Sequence, residues 1–140
     1  FVILVGMMIY FQVPVTLNAL YLPLFLLLAL VTALGVGLWF SALNVYYRDV
    51  GYVLPFLTEV WKYITPVAYS AQYITGKWRL VYALNPMAGV VQGFRWALLG
   101  TQLDSSALTT MLISTLVAVV VLITGLFYFR RMERTFADMV

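Results

Sequence analysis

The sequence predicts an all-α integral membrane protein: a polytopic helical bundle with one partial and three full transmembrane helices, and a re-entrant helical hairpin before the last span. Hydrophobic residues make up 64% of the 140 residues and charged residues only 9%, which leaves too little polar surface for a soluble domain. Long uncharged stretches alternate with short polar segments, as in successive membrane spans. We expect residues 1–140 to form one transmembrane domain, the C-terminal part of a longer protein.

Composition excludes several kinds of chemistry. The chain has no cysteine and no histidine, so disulfides, thiol chemistry, His-ligated metals and imidazole catalysis are not available to it. It has no GxxxxGK[ST] phosphate-binding loop, so we expect no ATP hydrolysis, no metal and no cofactor in this chain. The net charge of +3 favours an anionic membrane surface over nucleic acid, because no basic run is long enough to follow phosphates.

The first half of the chain contains two apolar stretches. Residues 1–11 cover about 16 Å as a helix, roughly half of a hydrocarbon core, and form the partial span. A polar segment with Pro14 follows and predicts a tight turn on the non-cytoplasmic side. Residues 21–43 are long enough to cross, and their small residues Gly35 and Gly37 allow another helix to approach closely.

The first charged side chains of the sequence lie in residues 44–52. Arg48 and Asp49 occur there among Tyr46 and Tyr47. A lipid-facing position inside the hydrocarbon does not tolerate such a pair, so this segment is predicted to be a loop at a membrane face. From the residues alone it is either a short solvated turn or a segment that docks a partner.

The third span is predicted over residues 53–73. Glu59 and Lys62 are three residues apart and share one helix face. With about 100° per residue, the polar side chains fall within an arc of roughly 140°, and Pro66 is expected to kink the helix. The arc comprises Thr58, Glu59, Lys62, Thr65, Pro66, Tyr69, Gln72 and Tyr73. The opposite, lipid-facing side comprises Phe56, Leu57, Val60, Trp61, Ile64, Val67, Ala68 and Ala71. The Glu–Lys pair is either structural or part of a wet pathway.

Residues 77–100 predict a helical hairpin. Asn85 is a good N-cap, Pro86 suits the first helical position, and Gly100 suits a helix end. The fourteen residues between the cap and Gly100 make about 21 Å of helix, too short to cross. The hairpin is therefore expected to enter the outer leaflet and return, although an amphipathic helix lying on the surface fits the spacing nearly as well.

Residues 107–129 are the clearest span, with twenty-three residues and no charge. Arg130 and Arg131 follow directly, and this positive cluster predicts that the tail, residues 130–140, is cytoplasmic. Counting back, residues 44–52 are cytoplasmic too, provided that residues 77–100 do not cross the membrane.

Five segments together resemble the permease subunit of bacterial ABC transporters of the ABC-2 type. They are Leu-Asn-Val-Tyr-Tyr-Arg-Asp-Val at 43–50, Thr-Pro-Val-Ala-Tyr at 65–69, Ala-Leu-Asn-Pro-Met-Ala at 83–88, Gly-Phe-Arg-Trp at 93–96 and Phe-Arg-Arg-Met-Glu-Arg-Thr-Phe-Ala-Asp at 129–138. The resemblance is to exporters of lipid-linked polysaccharides such as O-antigen, teichoic acid and capsular polysaccharide. It covers the C-terminal half of a family member.

The resemblance implies a multi-pass permease in the bacterial plasma (inner) membrane. It implies two permease copies, a homodimer, with two copies of a separate ATPase that carries the ATP and Mg. It also implies three sets of site residues. The translocation pathway would contain Glu59, Lys62, Tyr69, Gln72 and Tyr73. The outer gate would contain Asn85, Pro86, Gln92, Arg95 and Trp96. The ATPase-facing loop would contain Tyr46, Tyr47, Arg48 and Asp49.

Three other functions compete with polysaccharide export. An ABC-2 permease for another cargo, a drug or a lipid, is compatible with the chemistry of the chain. An integral membrane transferase would need paired carboxylates or a metal cluster at one depth, whereas Glu59 stands alone in its span. A scaffold that transports nothing would not need a continuous polar arc.

Overall fold

A computed structural model describes residues 2–13, 17–47, 49–65, 67, 78–101 and 103–136. All secondary structure within these residues is helical, which confirms the predicted all-α class for this part of the chain. The helices in chain order are α1 (Val2–Tyr10), a short 3-10 helix (Leu17–Tyr21), α2 (Leu22–Tyr46), α3 (Val50–Ile64), α4 (Trp78–Ala83), α5 (Pro86–Leu99) and α6 (Ser105–Phe136).

Two segments of the described chain are long and apolar enough to cross a membrane, Leu17–Val45 and Ser105–Glu133. They contain the spans predicted over residues 21–43 and 107–129. The other predicted spans are shorter as helices. At 1.5 Å per residue, the nine residues of α1 and the fifteen of α3 measure about 14 Å and about 22 Å, less than a hydrocarbon core.

α2 and α6 form the central pair and run in the same direction. Gly35 lies against the backbone of Leu122, where a Cβ atom would come within 2.8 Å of the Leu122 nitrogen. Further along both helices, Trp39 stacks on Tyr128 with 4.6 Å between ring centroids and donates a hydrogen bond to Thr124. The close approach that small residues predict in residues 21–43 therefore occurs at Gly35 and brings two backbones into contact.

α5 lies in the angle between α2 and α6. On one side Gly89 faces Ser114 of α6, and on the other Gly93 lies under the ring of Phe25 of α2, which a Cβ would overlap. Phe25 is buried by this contact. The short α4 precedes α5 and packs on α5 and α6. Small residues on α5 thus allow a short helix to sit close to both long ones.

Three helix boundaries differ from the predicted segment boundaries, and local chemistry accounts for each difference. α2 continues to Tyr46 and α3 begins at Val50, so the loop predicted over residues 44–52 shrinks to residues 47–49, since no Gly or Pro stops α2 earlier. α6 continues to Phe136, so most of the predicted tail is helical, in keeping with the good helix propensity of Arg and Met.

The third difference concerns the span predicted over residues 53–73. α3 ends at Ile64, and Thr65 is extended with φ −81° and ψ 131°. A residue before proline is disfavoured in the helical region, which accounts for the extended conformation of Thr65. Pro66 itself and residues 68–77 lie outside the described residues.

Candidate functional site

α3 is the least packed of the longer helices. Among the helices of the described chain it contacts only α2, and none of its residues is buried. It begins after the turn at residues 47–49, whose backbone accepts its first hydrogen bonds: the Asp49 carbonyl accepts from the amides of Tyr52 and Val53. Most of the surface of α3 is therefore accessible to other molecules.

The predicted Glu59–Lys62 pair forms an ion pair. Lys62 Nζ donates to Glu59 Oε1 at 2.7 Å, and the two side chains are 65% and 62% exposed. The bond joins successive turns of α3, as the spacing of three residues requires. The ion pair has no net charge. It places the two carboxylate oxygens of Glu59 and the three ammonium protons of Lys62 at an open surface.

An apolar cleft of about 680 Å³ separates α3 from α2. Its lining includes Leu30 and Phe40 of α2 and Leu57, Trp61 and Lys62 of α3. Leu57 and Trp61, predicted on the lipid-facing side, line this cleft together with Lys62 of the predicted polar arc. A helical wheel of α3 alone does not contain the position of α2.

The threonine hydroxyls beside the cleft are already bonded. Thr32 donates to the Leu28 carbonyl at 2.9 Å, and Thr58 lies within 2.8 Å of the Pro55 carbonyl and 3.1 Å of the Leu54 carbonyl. Such bonds to the preceding turn use the hydroxyl proton within the helix itself. Lys62 is then the only charged side chain that lines the cleft in the described residues.

Away from the cleft, α3 carries a row of aromatic side chains that we call the aromatic stripe: Tyr52, Phe56 and Tyr63, with Glu59 between them. Their exposed fractions are 86%, 68% and 77% for the three rings. Spacings of four, three and four residues place all four side chains on one side of a helix. The sequence prediction included Glu59 but placed Phe56 on the lipid side and did not single out Tyr63. The recurring aromatic spacing was the signal available.

The end of α3 meets the start of α5 at a polar junction, formed by Thr65, Asn85 and Ser114. Asn85 Oδ1 accepts from the Met87 amide at 3.0 Å, which confirms the predicted N-cap, and Asn85 Nδ2 donates to Thr65 Oγ1 at 3.2 Å. The Ser114 hydroxyl lies 2.9 Å from the Ala83 carbonyl and 3.1 Å from the Asn85 carbonyl. The Asn85 side chain thus connects Thr65 to the start of α5, and its backbone carbonyl contacts Ser114 of α6.

The residues predicted for an outer gate lie along α5. Asn85 and Pro86 are buried at its start. Further along, Gln92, Arg95 and Trp96 are half-buried. Arg95 Nη2 donates to the Val67 carbonyl at 3.1 Å, and Trp96 packs against the rings of Tyr21 and Phe25. α5 ends at Gly100, which is left-handed with φ 61° and confirms the predicted helix end.

The remaining predicted site residues divide between the turn and the undescribed segment. Tyr47 and Asp49 are exposed in the turn before α3, where an approaching partner would reach them. Arg48 and the Tyr46 side chain lie outside the described part, as do the pathway candidates Tyr69, Gln72 and Tyr73. The described atoms therefore bring together Glu59, Lys62, the aromatic stripe and the polar junction.

A helical protein with two apolar spans and an exposed, polar and aromatic third helix belongs to the class of polytopic membrane proteins. Residues 1–99 match the sequence profile of the ABC-2 type transporter family. Because this match covers more than half of the chain, the protein belongs to the ABC-2 type transporter family.

Two curated relatives are similar to the chain at low identity, and both are O-antigen export system permease proteins RfbA of Klebsiella pneumoniae. One is 24% identical over 139 residues, 99% of this chain and 52% of the relative. The other is 23% identical over 119 residues, 85% of this chain and 45% of the relative. The chain thus spans about half the length of these relatives. No solved structure matches it.

Proposed function

We propose that this chain belongs to the transmembrane permease subunit of an ATP-driven exporter that moves a lipid-linked polysaccharide across the bacterial inner membrane. The observation that carries this proposal is the similarity of 99% of the chain to a permease named for O-antigen export. The permease would be a passive, gated path, with ATP and Mg bound in a separate ATPase.

The proposed topology follows from the direction of the long helices. α2 and α6 run the same way, since Gly35 meets Leu122 and Trp39 meets Tyr128 further along. If both span the membrane, the chain between them must cross back an odd number of times. One return crossing that begins with α3, followed by a re-entrant α4–α5 hairpin, fulfils this requirement, whereas a single further crossing between α3 and α6 would make the number even.

The aromatic stripe and the ion pair are the proposed wall of the path. Sugar rings stack on aromatic faces, and Tyr hydroxyls exchange hydrogen bonds with sugar hydroxyls. Glu59 and Lys62, both highly exposed, add an acceptor and a donor beside the rings. Tyr69, Gln72 and Tyr73 remain proposed members of the same path.

Partners are assigned by the same proposal. Two ATPase copies would contact the turn that contains Tyr47 and Asp49, together with Tyr46 and Arg48. In a homodimer, a second permease copy would bring its own stripe to the shared path. Arg130 and Arg131 at the end of α6 would face anionic headgroups on the cytoplasmic side.

A second candidate, export of an apolar cargo such as a lipid or drug, is favoured by the cleft. Its lining from α2 and α3 is almost entirely aliphatic and aromatic. In that case the cargo would contact Leu57 and Trp61 instead of the aromatic stripe, which gives the two candidates different critical residues.

Polysaccharide export by the full transporter in cells tests the proposal. We expect Glu59→Ala, Lys62→Ala and Tyr63→Ala each to lower export about two- to ten-fold, the factor for losing a contact of roughly 0.5–1.5 kcal/mol, with unchanged membrane insertion. Leu116→Ala removes an exposed apolar side chain from α6 and is the matched control.

Unchanged export in all three stripe and ion-pair variants would overturn the proposed path. If only Trp61→Ala loses transport, the path would be the cleft instead of the aromatic stripe, and the cargo would be apolar.

A further inference from the structure

α3 is attached at its two ends, and a cleft lies beside its middle. At its start, the turn of residues 47–49 connects it to α2. In the middle, the cleft of about 680 Å³ separates the two helices. At and just beyond its end, hydrogen bonds to α5 include Asn85 Nδ2 to Thr65 Oγ1 at 3.2 Å and Arg95 Nη2 to the Val67 carbonyl at 3.1 Å. A rod held in this way can move only if the end attachments move with it or break.

The Thr65–Asn85 bond is the shielded attachment of the two. Thr65 and Asn85 are only 5% and 7% exposed, whereas the Arg95 bond is exposed. A hydrogen bond removed from water is costly to break, because each group loses its partner without full replacement by solvent. The buried bond is therefore the costlier of these two hydrogen bonds to break.

Asn85 also fixes the start of α5. Its Oδ1 caps the Met87 amide while its Nδ2 holds Thr65, and its backbone carbonyl lies 3.1 Å from the Ser114 hydroxyl of α6. A displacement of Thr65 that keeps the bond must rotate the Asn85 amide. That rotation would weaken the N-cap of α5, an interaction of the kind that stabilises a helix start.

We propose that Asn85 and Thr65 are positioning residues that couple α3 to the α4–α5 hairpin, so that the width of the α2–α3 cleft and the start of α5 change together. Neither side chain needs to touch cargo for this role. The inference uses the proposed function only in treating α3 as the wall of the path, and the coupling itself is a property of the structure.

Distance measurements between α2 and α3 test the coupling. Residues 1–140 contain no cysteine, so cysteines introduced at the exposed positions Leu34 of α2 and Val60 of α3 take the spin labels in this part of the permease. Any cysteine elsewhere in the permease is replaced, and labelled protein is diluted with unlabelled protein so that a dimer carries one labelled pair. The protein is reconstituted in lipid nanodiscs, and pulsed electron paramagnetic resonance gives the distribution of label separations.

Four single variants distinguish loss of the Thr65–Asn85 hydrogen bond from a general loss of stability. Thr65→Val has the same shape without the hydroxyl, and Thr65→Ser retains the hydroxyl. Asn85→Ser retains a capping oxygen and loses the amide donor. Ser114→Ala removes a hydrogen bond from the same junction without touching Thr65.

We expect Thr65→Val and Asn85→Ser each to increase the population of an altered α2–α3 separation about five-fold, the factor for one lost hydrogen bond. The double variant should not exceed either single variant, because both remove one bond. Thr65→Ser should retain the original distribution. Ser114→Ala should lower the thermal unfolding temperature and leave the distribution in place.

The proposal is overturned if Thr65→Val leaves the distribution unchanged, or if Ser114→Ala alters it as much as Thr65→Val does, since the junction would then only stabilise the fold. Export measured on the same variants separates the two hypotheses. If the label distances are unchanged while the stripe variants lose export as expected, the coupling is refuted and the proposed function stands. If the label distances change while the stripe variants retain export, the coupling stands and the proposed function is refuted.

Discussion

Two glycines of α2 that are two residues apart have opposite surroundings. Gly35 faces backbone atoms of Leu122 at 2.8 and 2.9 Å from the position of an added Cβ, while the same position at Gly37 has nothing within 4 Å. Backbone atoms cannot move aside as the end of a flexible side chain can. The contact between α2 and α6 therefore depends on Gly35 and not on Gly37.

We expect Gly35→Ala to destabilise the protein by about 1–3 kcal/mol, the usual cost of overpacking, because α2 and α6 must separate to admit the methyl group. Gly37→Ala is the matched control, with an unchanged or higher stability from better helix propensity. Thermal unfolding in detergent micelles measures both. Equal unfolding temperatures for the two variants would contradict the direct backbone contact.

The sequence identified both glycines as candidates for close helix packing but could not distinguish them. Their difference arises from the position of Leu122 and Gly125 on a helix that begins about seventy residues later. By contrast, the ion pair between Glu59 and Lys62 was predictable, because a spacing of three residues within one helix is local information.

At the scale of elements, α5 was predicted in full and α3 was not. The bounds of α5 follow from Asn85, Pro86 and Gly100, whose side chains or backbone preferences act within one helical turn. The end of α3 has an equally local signal in Thr65 before Pro66. The polar residues beyond Pro66 have helical spacing, however, and this periodicity led to the prediction of a kinked helix over residues 53–73.

The left-handed end of α5 provides a test at this scale. Gly100 has φ 61° and ψ 24°, a conformation that costs a residue with a Cβ about 1 kcal/mol. We expect Gly100→Ala to lower stability by about that amount and to increase amide hydrogen exchange in the last turn of α5. Gly100→Asn, which tolerates this conformation better, should have about half the effect or less. Equal losses of stability in the two variants would show that a lack of space for a side chain, and not the left-handed backbone conformation, requires glycine at position 100.

At the scale of the whole molecule, the sequence contains the spacing of the aromatic stripe but not the cleft. In the structure Leu57 and Trp61 line the cleft beside α2, while Tyr52, Phe56 and Tyr63 are exposed. A helical wheel gives the relative directions of these side chains but not which direction meets α2. That choice depends on the turn at residues 47–49 and on the polar junction at the other end, where Thr65 and Asn85 are 20 residues apart in the sequence.

The start of α5 and the Arg130–Arg131 cluster lie far apart along α6. Ser114, beside the start of α5, is sixteen residues from Arg130, which is about 24 Å along a helix. Trp39 stacks on Tyr128 near the Arg130 end, so the turn after α2 lies toward that end too. The α4–α5 hairpin and the Arg130–Arg131 cluster should therefore lie at opposite membrane faces.

Single cysteines test this arrangement in intact and inverted membranes with an impermeant thiol reagent. A cysteine at position 92, which is half-buried on α5, should be labelled only from outside, and a cysteine at position 133, exposed near the end of α6, only from the cytoplasm. A permeant reagent serves as the control for reactivity at each position. Labelling of position 92 from the cytoplasm would mean that this part of the hairpin reaches the cytoplasmic face, which would contradict a re-entrant hairpin in the outer leaflet.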